Sequence, residues 1–229
     1  MSNTQDLRAL RLKDAVLLLE HDYLPMEAGY AVTSDGMNYI AASTYMPGVT
    51  GKMIDWWFGF IHTSDFYKLW HPRDHIFSDW DGPRDNTSTY IGGHHLVKEY
   101  IGGVLSNLKI SFKDPSIYFG ADWRQKFDEK GYSTVICGRC QNWDPETNES
   151  VAIGHLIHLI KTEPDGCRMR SQFWLGDIEG INQPQPVPEA FASGLLKHAT
   201  EEMAILANIL PSLHMRLSKE AVPEQKEKL

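Results

Sequence analysis

Five strand-like segments follow one another in the middle of this chain, and one long one-sided helix comes after them. The segments are separated by turn-forming residues and span residues 89–100, 106–112, 133–143, 151–162 and 167–175. Consecutive strands joined by short turns pair antiparallel, because a parallel pair needs a crossover of a dozen or more residues. The middle of the chain is therefore predicted to form one antiparallel sheet.

Helical patterns lie on both sides of this predicted sheet. Residues 6–20 fit a short amphipathic helix, and residues 37–44 fit a strand or an irregular segment. Residues 64–70 fit a short helix capped by Ser64, and the long final helix covers residues 188–210. A curved antiparallel sheet wrapped around a long C-terminal helix is an α+β fold of the helix-grip type, which encloses a cavity suited to an apolar ligand.

Composition narrows the class of protein. The chain has 229 residues, is 42% hydrophobic and carries a net charge of −8, as expected for a soluble globular protein. Its basic residues are scattered, which argues against nucleic acid or an anionic membrane as a partner. The N-terminal residues lack the basic-then-apolar pattern of a secretory signal, so the expected location is the cytoplasm.

Two of the three cysteines form a Cys-x-x-Cys pair, Cys137 and Cys140. A zinc ribbon needs a second pair, and Cys167 is the one cysteine left. A thioredoxin-like site opens a helix, whereas this pair lies in a predicted strand. The pair is therefore interpreted as structural.

The final helix carries a histidine and a glutamate in the middle of its apolar face. One stripe of that face runs through Phe191, Leu195, His198, Glu202, Ile205 and Ile209, and Glu201 falls on the polar side. A buried polar pair is costly unless something satisfies it, and residues four apart project together from consecutive turns. His198 and Glu202 are thus compatible with a structural hydrogen-bonded pair or with two ligands of one metal ion.

Two further segments offer partners for this pair. His71 lies in an aromatic-rich segment, with His75 four residues later, and both also fit solvated loop positions. In the first predicted strand of the sheet, His95 and Glu99 share one face. If that face is inward, Glu99 is a buried carboxylate that either raises its pKa or binds a cation; an outward position at the strand end is the alternative.

The strand over residues 151–162 contains two histidines of opposite parity, His155 and His158. A regular strand turns only one of them inward. A hydrogen-bonded histidine in a polar wall is the interpretation favoured for both.

The Trp-His-Pro segment at His71, the strand that carries Glu99 and the helical pair at i and i+4 resemble the 2,4-diacetylphloroglucinol hydrolase and phloretin hydrolase family. The resemblance covers approximately residues 56–211. It implies a Bet v 1-like or START-like helix-grip fold and hydrolysis of the carbon–carbon bond between an acyl group and a polyhydroxylated ring. It also implies one Zn²⁺ per chain, whose ligands, carried onto this sequence, are His71, Glu99, His198 and Glu202.

Residues near the implied ligands are candidates for further roles. Candidates for proton transfer, by position, are Glu99, His95, Asp74 and His75. Candidates for contacts to an aromatic substrate are Asp74, His75, His155, Trp56 and Trp174, with core packing as the alternative for the tryptophans. The chain departs from the family at Asp74, where an asparagine that binds a phenolic hydroxyl is expected, so the substrate is open.

The predicted organisation is an N-terminal extension over residues 1–50, a metal-binding catalytic domain over 51–215 and a polar tail over 216–229. The expected partner is an aromatic acyl-phenol, and a homodimer is compatible with the sequence. Two other functions stay open. One is a metal-dependent cyclase, decarboxylase or isomerase acting on a phenolic polyketide-like compound. The other is a non-catalytic carrier of a hydrophobic ligand, against which the buried histidine–glutamate pair counts.

Overall fold

The structure, a computed structural model, describes residues 8–83 and 90–218 of the chain. Within these residues one antiparallel sheet contains β1 (Gly29–Val32), β2 (Asn38–Pro47), β3 (His75–Asp81), β4 (His94–Ile101), β5 (Val104–Lys113), β6 (Tyr132–Trp143), β7 (Ser150–Glu163) and β8 (Gly166–Leu175). The order across the sheet is β1-β2-β8-β7-β6-β5-β4-β3. The predicted antiparallel meander is confirmed. Strand β2 lies between β1 and β8, so the first two strands of the chain extend the sheet at the side of its last strand.

All helices except the last are short. After a 3-10 turn at Leu12–Asp14 they are α1 (Leu17–Glu20), α2 (Gly51–Phe60), α3 (Ser64–Trp70), α4 (Ser116–Phe119), α5 (Trp123–Glu129) and α6 (Glu189–Leu217). Helix α6 has 29 residues and continues through Pro211. In the described part of the chain, none of the helices has the length and apolarity needed to span a bilayer.

The main core lies between α6 and the inner face of the sheet. The stripe that α6 buries consists of Ala192, Leu195, Ala199, Met203, Leu206 and Leu210. It packs with inward side chains such as Ile40, Val97 and Phe173. Burying one large apolar side chain stabilises the fold by about 1.5–3 kcal/mol, so this face fixes the helix against the sheet. The helix-grip prediction is confirmed.

A second core covers part of the outer face of the sheet. The N-terminal segment, α1, α4 and α5 bury side chains there against Tyr39, Ile157 and Trp174. Arg170 on β8 is 1% exposed, and its guanidinium donates to both carboxylate oxygens of Glu27, at 2.9 and 2.7 Å. The same guanidinium also donates to the Leu18 carbonyl at 3.2 Å, which ties the N-terminal segment to the sheet.

Two strands lie within the span that the sequence assigns to an N-terminal extension. Strand β2 pairs with β8 along its whole length, from Asn38 opposite Leu175 to Pro47 opposite Gly166. The boundary at residue 50 therefore separates β1 and β2 from the sheet that they complete. Strands β1 and β3 are not predicted from the sequence. At β3, the polar residues that follow it obscure the alternation of apolar and polar residues.

The helix predictions differ from the structure at several ends. The segment predicted as a helix over 6–20 contains the 3-10 turn and α1, and residues 6 and 7 lie outside the described residues. The cap of α3 is Thr63, whose hydroxyl accepts from the Phe66 amide, and Ser64 is the first helical residue. Helices α4 and α5 were not predicted, and residues 219–229 of the predicted tail are not described.

Candidate metal centre and cavity

Three elements bring titratable side chains to one buried place. The turn after α3 carries His71 and Asp74, His75 is the first residue of β3 directly after it, and α6 carries His198 and Glu202. The turn is closed by a hydrogen bond of 2.9 Å from the His75 amide to the His71 carbonyl. Strand β4 adds Glu99, which lies directly opposite His75 in the β3–β4 register. Directly opposite residues of an antiparallel pair are cross-strand neighbours, so the register itself brings this histidine and this glutamate together.

Two histidines and two glutamates surround one point. The Nε2 atom of His75 lies 3.4 Å from Glu99 Oε2 and 3.5 Å from Glu202 Oε2. The Nε2 atom of His198 lies 3.7 Å and 3.9 Å from the same two oxygens. All four residues are buried, with exposed fractions between 1% and 8%.

Contacts of the Nδ1 atoms orient the two imidazoles of this group. His75 Nδ1 lies 2.9 Å from the Tyr67 carbonyl, so it carries the proton and leaves the Nε2 lone pair facing the carboxylates. His198 Nδ1 lies 3.5 Å from Asp74 Oδ2, a carboxylate that favours the same tautomer. Both Nε2 atoms are buried and, among the described residues, have no hydrogen-bond partner. Each imidazole thus has one nitrogen facing a carbonyl or carboxylate group and the other, unpartnered nitrogen facing Glu99 and Glu202. Histidine ligands of a divalent cation have this arrangement.

His71 lies beside this group. Its ring stacks on His198, with centroids 5.0 Å apart and planes at 17°. Its Nδ1 accepts from the Asp74 amide at 3.2 Å, which places the proton of a neutral ring on Nε2. That Nε2 is 3.6 Å from Asp74 Oδ2 and 3.7 Å from Glu201 Oε2. The geometry therefore brings His75, and not His71, to the two glutamates.

Strong electrostatic coupling holds the four groups. Burial raises the pKa of Glu99, but the neighbouring His198 and His75 and the hydroxyl of Tyr67 outweigh it and hold the pKa at about 2. Burial lowers the pKa of His198, yet Glu99 and Glu202 outweigh it and raise the pKa to about 9. A proton on His198 thus balances part of the buried negative charge, and a cation bound at the same place displaces that proton.

The group opens onto a cavity between α6 and the sheet, with about 810 Å³ of empty space including its mouth. The lining is mainly aromatic and aliphatic, with Phe58, Trp70, Phe112, Leu156, Phe173 and Leu195 among its members. His95 and Glu99 both face this cavity, as the inward alternative of the strand pattern predicts. His95 Nε2 lies 2.7 Å from the Ser78 hydroxyl.

Three predicted substrate contacts lie away from the cavity. His155 is on the outer face of β7, where its Nε2 is 2.9 Å from Asp177 Oδ2. Trp174 is in the outer core and donates to the Leu10 carbonyl at 2.7 Å. Trp56 stacks on Phe60, with centroids 4.6 Å apart, and does not contribute to the cavity lining among the described residues. His155 points outward because of its parity in β7. Trp174 lies in the core that the N-terminal segment forms on the outer face of the sheet.

Two residues of the cavity wall are not among the site residues predicted from the sequence. Tyr67 donates its hydroxyl to Glu99 Oε2, and the buried spacing of Tyr67 and Trp70 on α3 is the signal that could have found it. His158 lines the cavity, since it has the parity opposite to His155. Glu201, expected on a purely solvated helix side, accepts from Arg73 at 2.7 Å.

The two cysteines of the Cys-x-x-Cys pair belong to different cores. Cys137 is in the outer core and Cys140 is in the main core, because residues three apart on a strand point to opposite faces. This separation agrees with the structural interpretation of the pair.

Known proteins share this sequence pattern over most of the chain. A family model described as "DAPG hydrolase PhiG domain" matches residues 10–215. Phloretin hydrolase from Eubacterium ramulus is 33% identical over 207 residues, which are 81% of this chain and 70% of that protein. A 2,4-diacetylphloroglucinol (DAPG) hydrolase from Pseudomonas protegens is 28% identical over 181 residues, or 75% of this chain and 57% of that protein. The crystal structure of Ara h 8.0201 is similar with a TM-score of 0.48 at 9% identity, covering 77% of this chain and 99% of that one.

Proposed function

The chain belongs to the DAPG hydrolase PhiG domain family, and we propose that it hydrolyses the carbon–carbon bond between an acyl group and a polyhydroxylated aromatic ring of the phloroglucinol type. The observation that carries this proposal is the buried group of two histidines and two glutamates beside an aromatic-lined cavity. The relatives are named for phloretin and diacetylphloroglucinol, both acylated phenols. The proposed substrate is therefore an acylphenol.

We further propose that the resident cofactor is a divalent cation, with zinc as the expected ion. His75, Glu99, His198 and Glu202 would hold it, and two carboxylates with two neutral imidazoles would exactly balance its two charges. Such an ion polarises a ketone oxygen and lowers the pKa of a neighbouring water molecule. The cytoplasmic location and the homodimer stay predictions of the sequence.

The chain's own residues supply the remaining requirements of the reaction. Hydrolysis adds a hydroxyl to the acyl carbon and a proton to the ring carbon. The proton reaches the ring carbon first, which gives the keto tautomer; when the carbon–carbon bond then breaks, the ring takes the electron pair and leaves as the stabilised phenolate. His95 lines the cavity and is held by Ser78, so it is the proposed proton donor and acceptor at the ring. The walls formed by Phe58 and Trp70 exclude water and pack on the flat ring.

The carrier alternative accounts less well for this arrangement. Two carboxylates buried beside unpartnered imidazole nitrogens are costly to fold, and an apolar ligand would not offset that cost. Reactivity, in contrast, requires charges in a place that excludes water.

The activity is tested with the wild-type protein supplied with zinc and with acylphloroglucinols as substrates. We expect stoichiometric release of the carboxylic acid and the free phenol, measured by liquid chromatography and mass spectrometry. In ¹⁸O-labelled water one heavy oxygen should enter the acid. Glu99→Gln should lower kcat/KM by more than about 100-fold, because it removes a charge from the cation site. The exposed Glu146→Gln is the matched control, and an unreactive wild type or an active Glu99→Gln contradicts the proposal.

Tyr67→Phe provides a milder test of the cation site. The change removes the hydroxyl that donates to Glu99 but keeps the carbonyl that orients His75. Loss of one such supporting hydrogen bond is expected to weaken zinc binding by about 10–100-fold. Competition with a chromogenic chelator measures the affinity, and Tyr100→Phe, on the outer side of β4, serves as the control. Equal zinc affinity in Tyr67→Phe and wild type would show that this hydroxyl does not support the site.

A further inference from the structure

Two glycines from different elements meet close to the metal-site residues. Gly102 and Gly103 form the two-residue turn between β4 and β5, with φ of +58° and +82°, as a type I′ hairpin turn requires. Gly194 is a helical residue of α6. A Cβ atom at Gly194 would lie 2.6 Å from the Gly102 Cα and 3.0 Å from the Gly102 nitrogen. The two backbones are therefore in direct contact, and a side chain at position 194 requires one of them to move.

This contact joins the two halves of the proposed metal site. His75 and Glu99 belong to the sheet, whereas His198 and Glu202 belong to α6. Within each half, Nε2 lies 3.4 Å and 3.9 Å from the carboxylate oxygen. Between the halves, the distances are 3.5 Å from His75 Nε2 to Glu202 Oε2 and 3.7 Å from His198 Nε2 to Glu99 Oε2. Four residues can hold one cation only while the helix and the sheet keep this separation.

Both glycines are near metal-site residues along the chain. Gly194 precedes His198 by four residues, which is about one helical turn. Gly102 follows Glu99 by three residues, and the intervening residues are paired with β5. A hydrogen-bonded helical turn and a paired strand are stiff, so a displacement of the two backbones at the glycines also displaces His198 relative to Glu99.

The side chains between α6 and the sheet leave open space at this end of the helix. The cavity lies here, and Ile101 and Leu195, the sequence neighbours of the two glycines, belong to its lining. The C-terminal half of α6 is held in the main core by Met203, Leu206 and Leu210. Beside the cavity, the backbone contact provides a fixed limit to the approach of α6 and β4.

We propose that the contact between Gly102 and Gly194 positions the two halves of the metal site and thereby determines its affinity for a divalent cation. Neither glycine has a side chain that could bind the cation or a substrate, so both act through the backbone as positioning residues. The inference rests on the proposed function for the presence of the cation, and on the contact alone for the separation of Glu99 from His198.

The first variant of the test is Gly194→Ala. Alanine normally favours a helix over glycine, so a position without a close contact would tolerate the change. Here the added methyl group pushes α6 away from the turn, and zinc affinity should fall by about 10–100-fold, as for the loss of other residues that orient metal ligands. Competition with a chromogenic chelator measures the affinity. The visible absorption spectrum of the Co²⁺-loaded protein should also change, because it reports the arrangement of the ligands.

A pair of turn variants separates the contact from backbone strain. Alanine strains the turn at position 102 and at position 103, since both have positive φ. A Cβ at Gly102 would lie 3.1 Å from the Gly194 Cα, whereas one at Gly103 meets no atom of the described residues within 4 Å. Gly102→Ala should therefore weaken zinc binding, by less than Gly194→Ala does. Gly103→Ala should keep the wild-type zinc affinity and cobalt spectrum, and circular dichroism of the metal-free proteins checks the fold of each variant.

The outcomes distinguish this inference from the proposed function. Wild-type zinc affinity and cobalt spectrum in a folded Gly194→Ala, or equal losses in Gly102→Ala and Gly103→Ala, overturn the inference and leave the proposed function standing. If Gly194→Ala does not fold, the comparison of the two turn variants decides. If the variants behave as expected but the wild type hydrolyses no acylphenol, the inference stands and the proposed reaction fails. A wild type that binds neither zinc nor cobalt overturns the inference and the proposed cofactor together.

Discussion

Removal of the His75 side chain is expected to abolish zinc binding, whereas removal of His71 is expected to weaken zinc binding by a smaller factor. In His75→Ala the two glutamates lose an imidazole whose Nε2 lies 3.4–3.5 Å from their oxygens. The expected loss of affinity is more than about 100-fold, because supporting residues alone account for about 10–100-fold. His71→Ala removes a ring that stacks on His198 without facing Glu99, so the expected loss is at most about 10–100-fold.

Isothermal titration of the metal-free proteins with zinc measures both affinities side by side. His155→Ala, on the outer face of β7, controls for the loss of a histidine as such. The opposite ranking, with His71→Ala unable to bind and His75→Ala binding normally, would contradict the proposal and favour the ligand set that the family resemblance implies.

A large loss of stability is expected when Arg170 is replaced by Met. The guanidinium is 1% exposed and donates to Glu27, Leu18 and the Tyr132 hydroxyl. Its removal leaves the Glu27 carboxylate without its charged partner and removes one of the hydrogen bonds that tie the N-terminal segment to the outer face of the sheet. Breaking a buried ion pair from one side costs about 3–5 kcal/mol, and because Glu27 keeps 20% of its side chain exposed we expect about 3 kcal/mol.

Urea denaturation followed by circular dichroism measures this change in the free energy of unfolding. Arg168→Met is the control on the same strand, since Arg168 pairs with Glu163 and its side chain is 30% exposed. A partly exposed pair at the surface contributes about 0–1 kcal/mol. Equal losses in the two variants would mean that Arg170 does not anchor the N-terminal segment.

Most of the sheet was predictable because its strands alternate cleanly. His95 and Glu99 share a face of β4, and the structure turns both toward the cavity. The amphipathic stripe of α6 likewise placed His198 and Glu202 in the core. These positions follow from the spacing of apolar residues along one strand or one helix, which can be read from the sequence.

The position of the second imidazole of the proposed site was not available from local patterns. His71 caps the end of α3 and His75 begins β3 four residues later, and either fits a metal site by spacing alone. The choice depends on the β3–β4 register, which sets His75 opposite Glu99, and on the Tyr67 carbonyl that fixes its tautomer. Both are long-range relations between elements. The resemblance to the family conveyed the residue types but not this register.

The outer face shows a similar limit. Trp174 alternates with Phe173 on β8, and parity alone leaves open which of the two lines the cavity. The N-terminal segment covers the outer face, so Trp174 packs there against Tyr39 at 5.5 Å between ring centroids. A covering segment distant in sequence thus decides which aromatic residue is available to a substrate.

The most direct measurement of the central claim is an anomalous difference map at the zinc absorption edge, from crystals of the protein grown with zinc. The account predicts one strong peak per chain within bonding distance of His75 Nε2, His198 Nε2 and one oxygen each of Glu99 and Glu202. A peak held by His71 and Asp74 instead, or no peak at this group with zinc in excess, would contradict it.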